Sequence, residues 1–163
     1  MLDFPLFLTF LVACGAAAAT GAMFQPGAWY SSLQKPTWAP PKWVFPVVWT
    51  GLYLCMSLAA MRVAQAAGQD PSVGQALAFW GVQISLNTLW TPVFFGLRRM
   101  KAGLVIILLL WVAVAATLVS FARIDPIAGA LIVPYLLWVS VAALLNRATL
   151  ALNPAAGILR ETG

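Results

Sequence analysis

The sequence lacks histidine altogether and contains only four acidic residues among its 163. Protein metal sites are built mainly from histidine, cysteine and carboxylate groups, and acid–base catalysis relies on the same side chains. The acidic residues lie near the ends of apolar segments, and there is no nucleophile elbow or phosphate-binding loop. We therefore expect no protein-ligated metal, no haem iron held by histidine and no ordinary acid–base catalysis.

Charge and cysteine are also scarce. Charged residues make up 8 % of the chain and hydrophobic residues 63 %, whereas a soluble domain carries roughly 25 % charged residues. This composition is typical of a membrane protein. The two cysteines, Cys14 and Cys55, lie inside apolar segments, where single cysteines act as small apolar side chains more often than as disulfide partners.

Five long apolar blocks account for most of the chain. They cover approximately residues 4–24, 43–66, 74–97, 102–122 and 127–150. Each block is long enough to cross a hydrocarbon core of ~30 Å as a helix, and none shows the alternation of a membrane barrel strand. The first block has no basic residue before it, unlike a signal peptide, so we interpret it as a membrane helix. The sequence predicts an all-α fold, a single membrane domain over residues 1–163 with five transmembrane helices.

Basic residues are distributed unevenly between the two ends of these blocks. Arg62 and Arg123 fall near one set of ends, and the other seven fall near the 25–42 loop, the 98–101 loop or the C-terminus. The seven are Lys35, Lys42, Arg98, Arg99, Lys101, Arg147 and Arg160. Because basic residues collect on the cytoplasmic side, the N-terminus is predicted outside and the C-terminus inside, in either the inner or the outer membrane of a bacterium. The net charge of +5 thus reflects topology, and no nucleic-acid partner is expected.

Aromatic side chains are concentrated in residues 29–53. This stretch holds four of the eight tryptophans, two tyrosines, four prolines and two lysines. Aromatic rings with one polar end suit a membrane interface. The same density suits a pocket for a flat aromatic ligand, so the stretch alone favours neither interpretation.

Three pairs of residues share helix faces within the predicted membrane helices. They are Trp49 with Tyr53, Asn87 with Trp90, and Trp138 with Ala142, each three or four residues apart. The aromatic residues could be explained by core packing or contact with lipid, and the amide by a hydrogen bond between helices. Aromatic rings at mid-span with one orienting amide are also what an apolar ligand pocket contains.

Small residues recur at helical spacing in two of the blocks. The first block has Ala13, Ala17 and Gly21, and the third has Gly81 and Ser85. Small residues let helices approach closely, either within the bundle or between two copies. Of the two faces, we favour the third block for a dimer contact.

Three co-linear segments resemble one family across nearly the whole chain. They read WYSSLQKPTWAPPKWVFPVVWTGLY at 29–53, SLNTLWTPVFFGLRR at 85–99 and DPIAGALIVPYLLWVSVAALLN at 125–146. In order and spacing they resemble the TspO/MBR family, whose members are called tryptophan-rich sensory proteins, translocator proteins or peripheral-type benzodiazepine receptors.

The resemblance implies a five-helix bundle, usually a homodimer, that binds protoporphyrin IX and haem as ligands and needs no cofactor. It also implies binding of synthetic isoquinoline carboxamides and benzodiazepines. By motif, the pocket residues under the first loop would be Tyr30, Trp49, Tyr53, Asn87, Trp90, Trp138 and Ala142. Trp49 and Trp138 match tryptophans implicated in photochemistry, since some bacterial members promote light-dependent breakdown of protoporphyrin IX.

Several functions remain open under this resemblance. The first is a tetrapyrrole sensor, with residues 25–42 as a lid and the ligand's propionates near Lys35 or Lys42. The alternative is a facilitative transporter of porphyrins or sterol-like lipids; the absence of ionisable residues at mid-span disfavours ion-coupled transport. A photochemical enzyme and a structural scaffold are the remaining two.

A lipid or sterol partner has weaker support. Animal members carry an aromatic residue directly after the LN of the last helix, followed by a basic residue. Here Arg147 follows the LN at 145–146, and Tyr135 has no lysine or arginine within five residues downstream. The proposed cholesterol motif, itself a weak pattern, is therefore missing.

Overall fold

A computed structural model describes residues 3–154 of the chain. Within these residues the fold is all-helical, as the sequence predicts, with no β-strand. The elements are α1 (Phe4–Met23), α2 (Ala28–Ser32), α3 (Val44–Ala64), α4 (Val73–Thr91), a π-helical turn (Pro92–Gly96), α5 (Met100–Ile124) and α6 (Pro126–Leu152). Arg160 and the rest of the C-terminal tail lie outside the described residues.

Four of the described helices are long and apolar enough to cross a membrane, namely α1, α3, α5 and α6. The predicted count of five is therefore confirmed for four helices only. Helix α4 has 19 residues, but Gln75, Gln83 and Asn87 lower its mean hydropathy. Its inner face is polar because two of these amides, Gln83 and Asn87, are buried.

Two segments differ in detail from the predicted pattern. The 25–42 loop contains the short helix α2. The third block changes from an α-helix to a π-helical turn at Pro92. The Leu97 N–H donates to the Pro92 carbonyl at 2.8 Å, which is the i to i+5 bond of a π-turn. Proline supplies no N–H of its own to the preceding turn, so the hydrogen-bond register changes where it occurs.

The α5–α6 pair forms the most extensive helix interface, and α3 packs against both α1 and α6. The turn between α5 and α6 is short because Asp125 begins α6 directly. Its Oδ1 accepts from the N–H groups of Ile127 at 2.8 Å and Ala128 at 3.3 Å. Pro126 occupies the first helical position, where a missing N–H costs nothing.

Gly129 allows α6 to approach α5 closely. A Cβ built on Gly129 would lie 2.5 Å from the Ala122 Cβ and 2.7 Å from the Ala122 Cα. No side chain fits at this distance, so the contact depends on glycine. The close approach brings the two longest helices together near the turn that joins them.

Polar contacts connect distant segments at both ends of the bundle. At one end, Arg62 Nε donates to Asp125 Oδ2 at 2.7 Å and joins the end of α3 to the start of α6. At the other end, Asn153 pairs with the backbone of Gln34, in the first loop. The 25–42 loop and the end of α6 therefore lie at the same end of the bundle.

Helix α1 is an integral part of this bundle. Cys14 is fully buried, and the Ser57 hydroxyl of α3 donates to its Sγ at 3.4 Å. Phe10 makes an edge contact with Trp80 of α4, with ring centroids 5.1 Å apart. Cys14 and Cys55 are both free thiols, as the sequence predicts.

Candidate ligand-binding site

An aromatic cluster lies between α3 and α6. Trp49 stacks on Tyr53 with centroids 5.3 Å apart and an interplanar angle of 30°. This contact follows from their spacing, since residues four apart share a helix face. Trp49 also meets the edge of Tyr135 on α6 at 6.0 Å. Tyr135 is fully buried, whereas Trp49 and Tyr53 are only partly buried, so the two α3 rings form the accessible side of the cluster.

Trp138 and Ala142 extend the same α6 surface by one helical turn. Both are partly buried and pack against the main core. Trp138 meets Phe45 of α3 edge-on, with centroids 5.5 Å apart. Phe45 lies four residues before Trp49, on the same face of α3. Two rings from α3 therefore face two rings from α6 across a single helix interface.

Asn87 supplies an amide beside these rings. It is only 5 % exposed, and its side chain interacts with that of Tyr53 on α3. No hydrogen-bond partner for its Nδ2 is found in residues 3–154. An amide with one unused donor in an apolar interior can orient a bound molecule.

A second aromatic cluster, here called the loop-one cluster, lies beneath residues 25–42. Its buried members are Leu33, Phe94 and Met100, and Tyr30 and Trp90 pack against them. Trp90 stacks on Phe94 at 5.0 Å with an interplanar angle of 18°. Tyr30 meets Phe94 edge-on at 6.1 Å. The π-turn places Phe94 between the loop and α4, so loop one rests on the end of α4.

Loop one is fastened to the end of α6 by a pair of amide hydrogen bonds. Asn153 Oδ1 accepts from the Gln34 N–H at 3.0 Å, and Asn153 Nδ2 donates to the Gln34 carbonyl at 2.8 Å. The same Nδ2 donates to the Thr149 carbonyl at 2.7 Å. We call this contact the Gln34–Asn153 clasp. It holds the loop at the end of the bundle where the loop-one cluster lies.

The basic side chain of Lys35 makes two contacts within loop one. Lys35 Nζ donates to the Leu33 carbonyl at 3.0 Å and lies 4.6 Å from the centre of the Tyr30 ring. Burial raises the pKa of the Tyr30 hydroxyl above its usual value. Tyr30 therefore stays protonated at neutral pH and presents a neutral ring to the lysine.

Several buried polar atoms near these clusters lack hydrogen-bond partners within the described part of the chain. They are Trp80 Nε1, both polar atoms of Gln83, Asn87 Nδ2, Trp90 Nε1, Tyr135 Oη, Trp138 Nε1 and Thr149 Oγ1. Buried polar groups in native proteins are normally paired. Unpaired atoms concentrated on two inner helices are consistent with a site for a ligand.

The structure divides the seven predicted site residues into two adjoining groups. Four pack against the main core, Tyr30 packs against the loop-one cluster and Trp90 against both, while Asn87 is buried beside Tyr53. The four are Trp49, Tyr53, Trp138 and Ala142. The sequence interpretation omitted Phe45 and Phe94, although each lies four residues from a predicted tryptophan and could have been found from that spacing. It also omitted Gln83.

An apolar groove lies apart from both aromatic clusters. It is formed by Phe4, Phe7, Leu54, Cys55 and Leu58 on α1 and α3 and has a volume of about 260 Å³. Its lining offers no polar group to orient a ligand. This groove therefore lacks the combination of apolar rings and polar groups that the interior site has.

The long apolar helices and the aromatic interior define the class of this molecule, a multi-pass helical membrane protein. The model of the TspO/MBR family matches residues 7–152, and the chain belongs to that family. It is 55 % identical over 152 residues to the tryptophan-rich sensory protein of Cereibacter sphaeroides, covering 93 % of this chain and 94 % of that protein. It is 50 % identical over 153 residues to protein CrtK of Rhodobacter capsulatus, covering 94 % and 96 % of the two chains.

The family extends to animals. The chain is 39 % identical over 104 residues to the human translocator protein, covering 63 % of this chain and 62 % of the human one. Two of these relatives are thus named as a sensory protein and a translocator protein. The resemblance drawn from the three sequence motifs is thereby confirmed.

Proposed function

We propose that the protein is a membrane-embedded sensor that binds a tetrapyrrole, protoporphyrin IX or haem, between α3, α4 and α6. The main support is the Trp49–Tyr53 stack facing Trp138 and Tyr135, with Asn87 beside it. A flat macrocycle gains stacking from such rings, and base–aromatic stacking, worth ~1–3 kcal/mol per contact, is a rough guide to the size. Isoquinoline carboxamides and benzodiazepines, being flat and largely apolar, would occupy the same site.

The proposed bundle has five membrane spans, with α4 and the π-turn together as the fifth. Residues 73–96 are long enough to cross the bilayer, and the buried amides of α4 face the bundle rather than lipid. With α4 as a span, Arg62 and Asp125 fall at one end of the bundle, and Gln34 and Asn153 fall at the other. This agrees with the hydrogen bonds within each pair. By the distribution of basic residues, the N-terminus would then lie outside and the C-terminus in the cytoplasm.

Loop one is the proposed lid of the site. It packs on the loop-one cluster, and the Gln34–Asn153 clasp holds it in place. Lys35 and Lys42 lie at its rim, where they can meet the propionates of a bound porphyrin. Opening of this lid would allow the ligand to enter, and a facilitative transport role would need a second opening at the other end of the bundle.

Light-dependent breakdown of the bound porphyrin is a second proposed activity, in which the ligand absorbs the light. It needs no acid–base residue, because the indole side chains of Trp49 and Trp138 can take part in radical steps. Trp138 lies within the aromatic cluster, 5.5 Å from Phe45. The activity would be photochemical rather than that of an ordinary enzyme.

Titration of the purified protein with protoporphyrin IX tests both proposals. Tryptophan fluorescence should be quenched on binding in the dark, and the porphyrin absorbance should decay under subsequent illumination. In Trp138→Phe the dark affinity should be largely kept, because a ring remains, while light-driven loss slows. Trp111→Phe is the matched control: Trp111 is exposed on α5 and bonds to Ser140 instead of the cluster.

Alanine variants, which remove a ring altogether, test where the site lies. Trp49→Ala and Trp138→Ala should each weaken binding about 5- to 150-fold, at 1.4 kcal/mol per tenfold. If both variants bind protoporphyrin IX like the wild type, the site lies elsewhere. The aromatic residues would then serve packing and anchoring only.

A further inference from the structure

Gln83 is the most completely unpaired polar side chain among the described residues. It is 1 % exposed, and neither its Nε2 nor its Oε1 has a hydrogen-bond partner. A buried amide that held two helices together would bond across their interface. Gln83 makes no such bond within residues 3–154, and an apolar side chain of similar length would fill the space without an unpaired amide.

Gln83 belongs to a strip of unpaired donors on α4. The strip, here called the donor strip, consists of Trp80, Gln83, Asn87 and Trp90, at successive spacings of three, four and three residues. Such spacing places all four on one helix face. Each has at least one buried N–H without a partner. The strip therefore offers four donor nitrogens and one acceptor, Gln83 Oε1.

The strip reaches deeper into the bundle than the predicted site. At 1.5 Å per residue, Gln83 lies about 20 Å along the helix from Gly96, and Asn87 about 13 Å. A ligand that enters beneath loop one with its charged groups at the rim would turn its opposite edge toward Gln83.

The chemistry of the strip specifies what that edge should carry. Donors outnumber acceptors, so oxygen acceptors on the ligand would satisfy them. No lysine or arginine lies in the central part of α4 or α6, and a buried carboxylate without a cation is costly. Neutral carbonyl oxygens meet both conditions.

We propose that the donor strip, with Gln83 at its centre, binds neutral carbonyl oxygens on the inward edge of the ligand and so selects among planar ring compounds. This inference rests on the proposed tetrapyrrole site and specifies the chemistry of its deep end. Gln83 is then a specificity-determining residue, and its unpaired state without ligand is the cost of that selectivity.

Two near-isosteric porphyrins test this proposal. In 2,4-diacetyldeuteroporphyrin IX, acetyl groups replace the two vinyl groups of protoporphyrin IX, while the propionates are the same. The wild-type protein should bind the diacetyl compound about threefold to tenfold more tightly, the range that one neutral hydrogen bond gives. In Gln83→Met this preference should disappear, because the methionine side chain is similar in length and cannot donate.

The control is Gln75→Met, the same exchange at an exposed position on the same helix, which should keep the preference. Thermal unfolding without ligand should show Gln83→Met to be as stable as the wild type or more so, which separates lost binding from lost folding. A Gln83→Met variant that still prefers the diacetyl compound overturns the inference, as does a wild type that binds both porphyrins equally. A wild type that binds neither overturns the proposed function and this inference with it.

Discussion

Asp125 shows how much one residue contributes at the end of a helix. It caps α6 and pairs with Arg62 at 2.7 Å. Partial burial raises the pKa of the Asp125 carboxyl, but the Arg62 guanidinium and the N–H groups of Ala128 and Ile127 lower it by more. The net pKa therefore lies below the ordinary value for aspartate.

A depressed pKa makes stability depend on pH in one direction. The contribution of Asp125 is present above the unfolded-state pKa, ~3.9, and is lost as pH falls through the folded-state value. Asp125→Asn keeps a capping oxygen but loses the ion pair, so we expect a loss of about 0.5–1 kcal/mol at neutral pH. Below about pH 4 the difference from the wild type should shrink. Thermal unfolding measured between pH 3 and 7 checks this.

Asp3→Asn is the matched control for that measurement. Asp3 also caps a helix, with its Oδ1 accepting from the Leu6 N–H at 3.1 Å, and within residues 3–154 it forms no ion pair. The neutral-pH loss should therefore be smaller in Asp3→Asn. Equal losses in the two variants would show that the Arg62 pair contributes nothing beyond the cap.

At the scale of the helices, the α5–α6 interface depends on Gly129. In Gly129→Ala the new Cβ would meet the Ala122 backbone, which cannot move aside as a flexible side chain could. Overpacking of this kind costs typically 1–3 kcal/mol, more than the ~0.5–1 kcal/mol that alanine gains over glycine within a helix. The variant should unfold at a lower temperature than the wild type in the same detergent.

Gly51→Ala provides the comparison on α3. Gly51 is exposed, and no atom lies within 4 Å of the position that its Cβ would take. This variant should be as stable as the wild type or slightly more stable. If both alanine variants shift the unfolding temperature equally, the close contact at Gly129 does not limit stability.

The existence of the helices could be predicted from the sequence, because an apolar run of about 20 residues has few other structures available. The change at Pro92 from an α-helix to a π-turn could not, since a proline inside an apolar block does not specify which register follows. Helix α2 was missed because five residues between prolines and glycines give no periodicity. Helix α4 is not among the four described helices apolar enough to span a membrane, because it carries three amide side chains.

The site could be predicted only in part, for a related reason. Trp49 with Tyr53 is a local pair, and its spacing alone gives the stacked contact that the structure shows. Contacts between helices, such as Phe45 with Trp138 or the Gln34–Asn153 clasp, depend on rotation and tilt that no single segment specifies. Gln83 could not be identified from the sequence, because burial without a hydrogen-bond partner is visible only in three dimensions.

At the scale of the whole molecule, we predict a dimer that uses α4. Gly74, Ala78 and Ser85 are exposed, and no atom lies within 4 Å of a Cβ built on Gly81. The ladder of small residues on α1 is partly used within the bundle, since Ala17 is only 3 % exposed. Small residues free of internal contacts permit a second copy to approach.

Gly81→Leu should therefore weaken the dimer, shifting the protein toward the monomer in sedimentation or sizing experiments in detergent. Gly21→Leu makes the same change on α1, where the space is also open, and should leave the dimer intact. The reverse result would move the interface to α1. No change in either variant would exclude both faces.

The Gln34–Asn153 clasp also has a consequence for the order in which the molecule is assembled. Its two residues are 119 positions apart. At the usual translation rate of about 5–20 residues per second, roughly 6–24 s pass between the synthesis of one and the other. During that interval loop one lacks the clasp, and the rings of α3 lack their partners from α6. The contacts between α3 and α6 and the fastening of loop one are therefore both completed by α6, the last of the described helices to be synthesised.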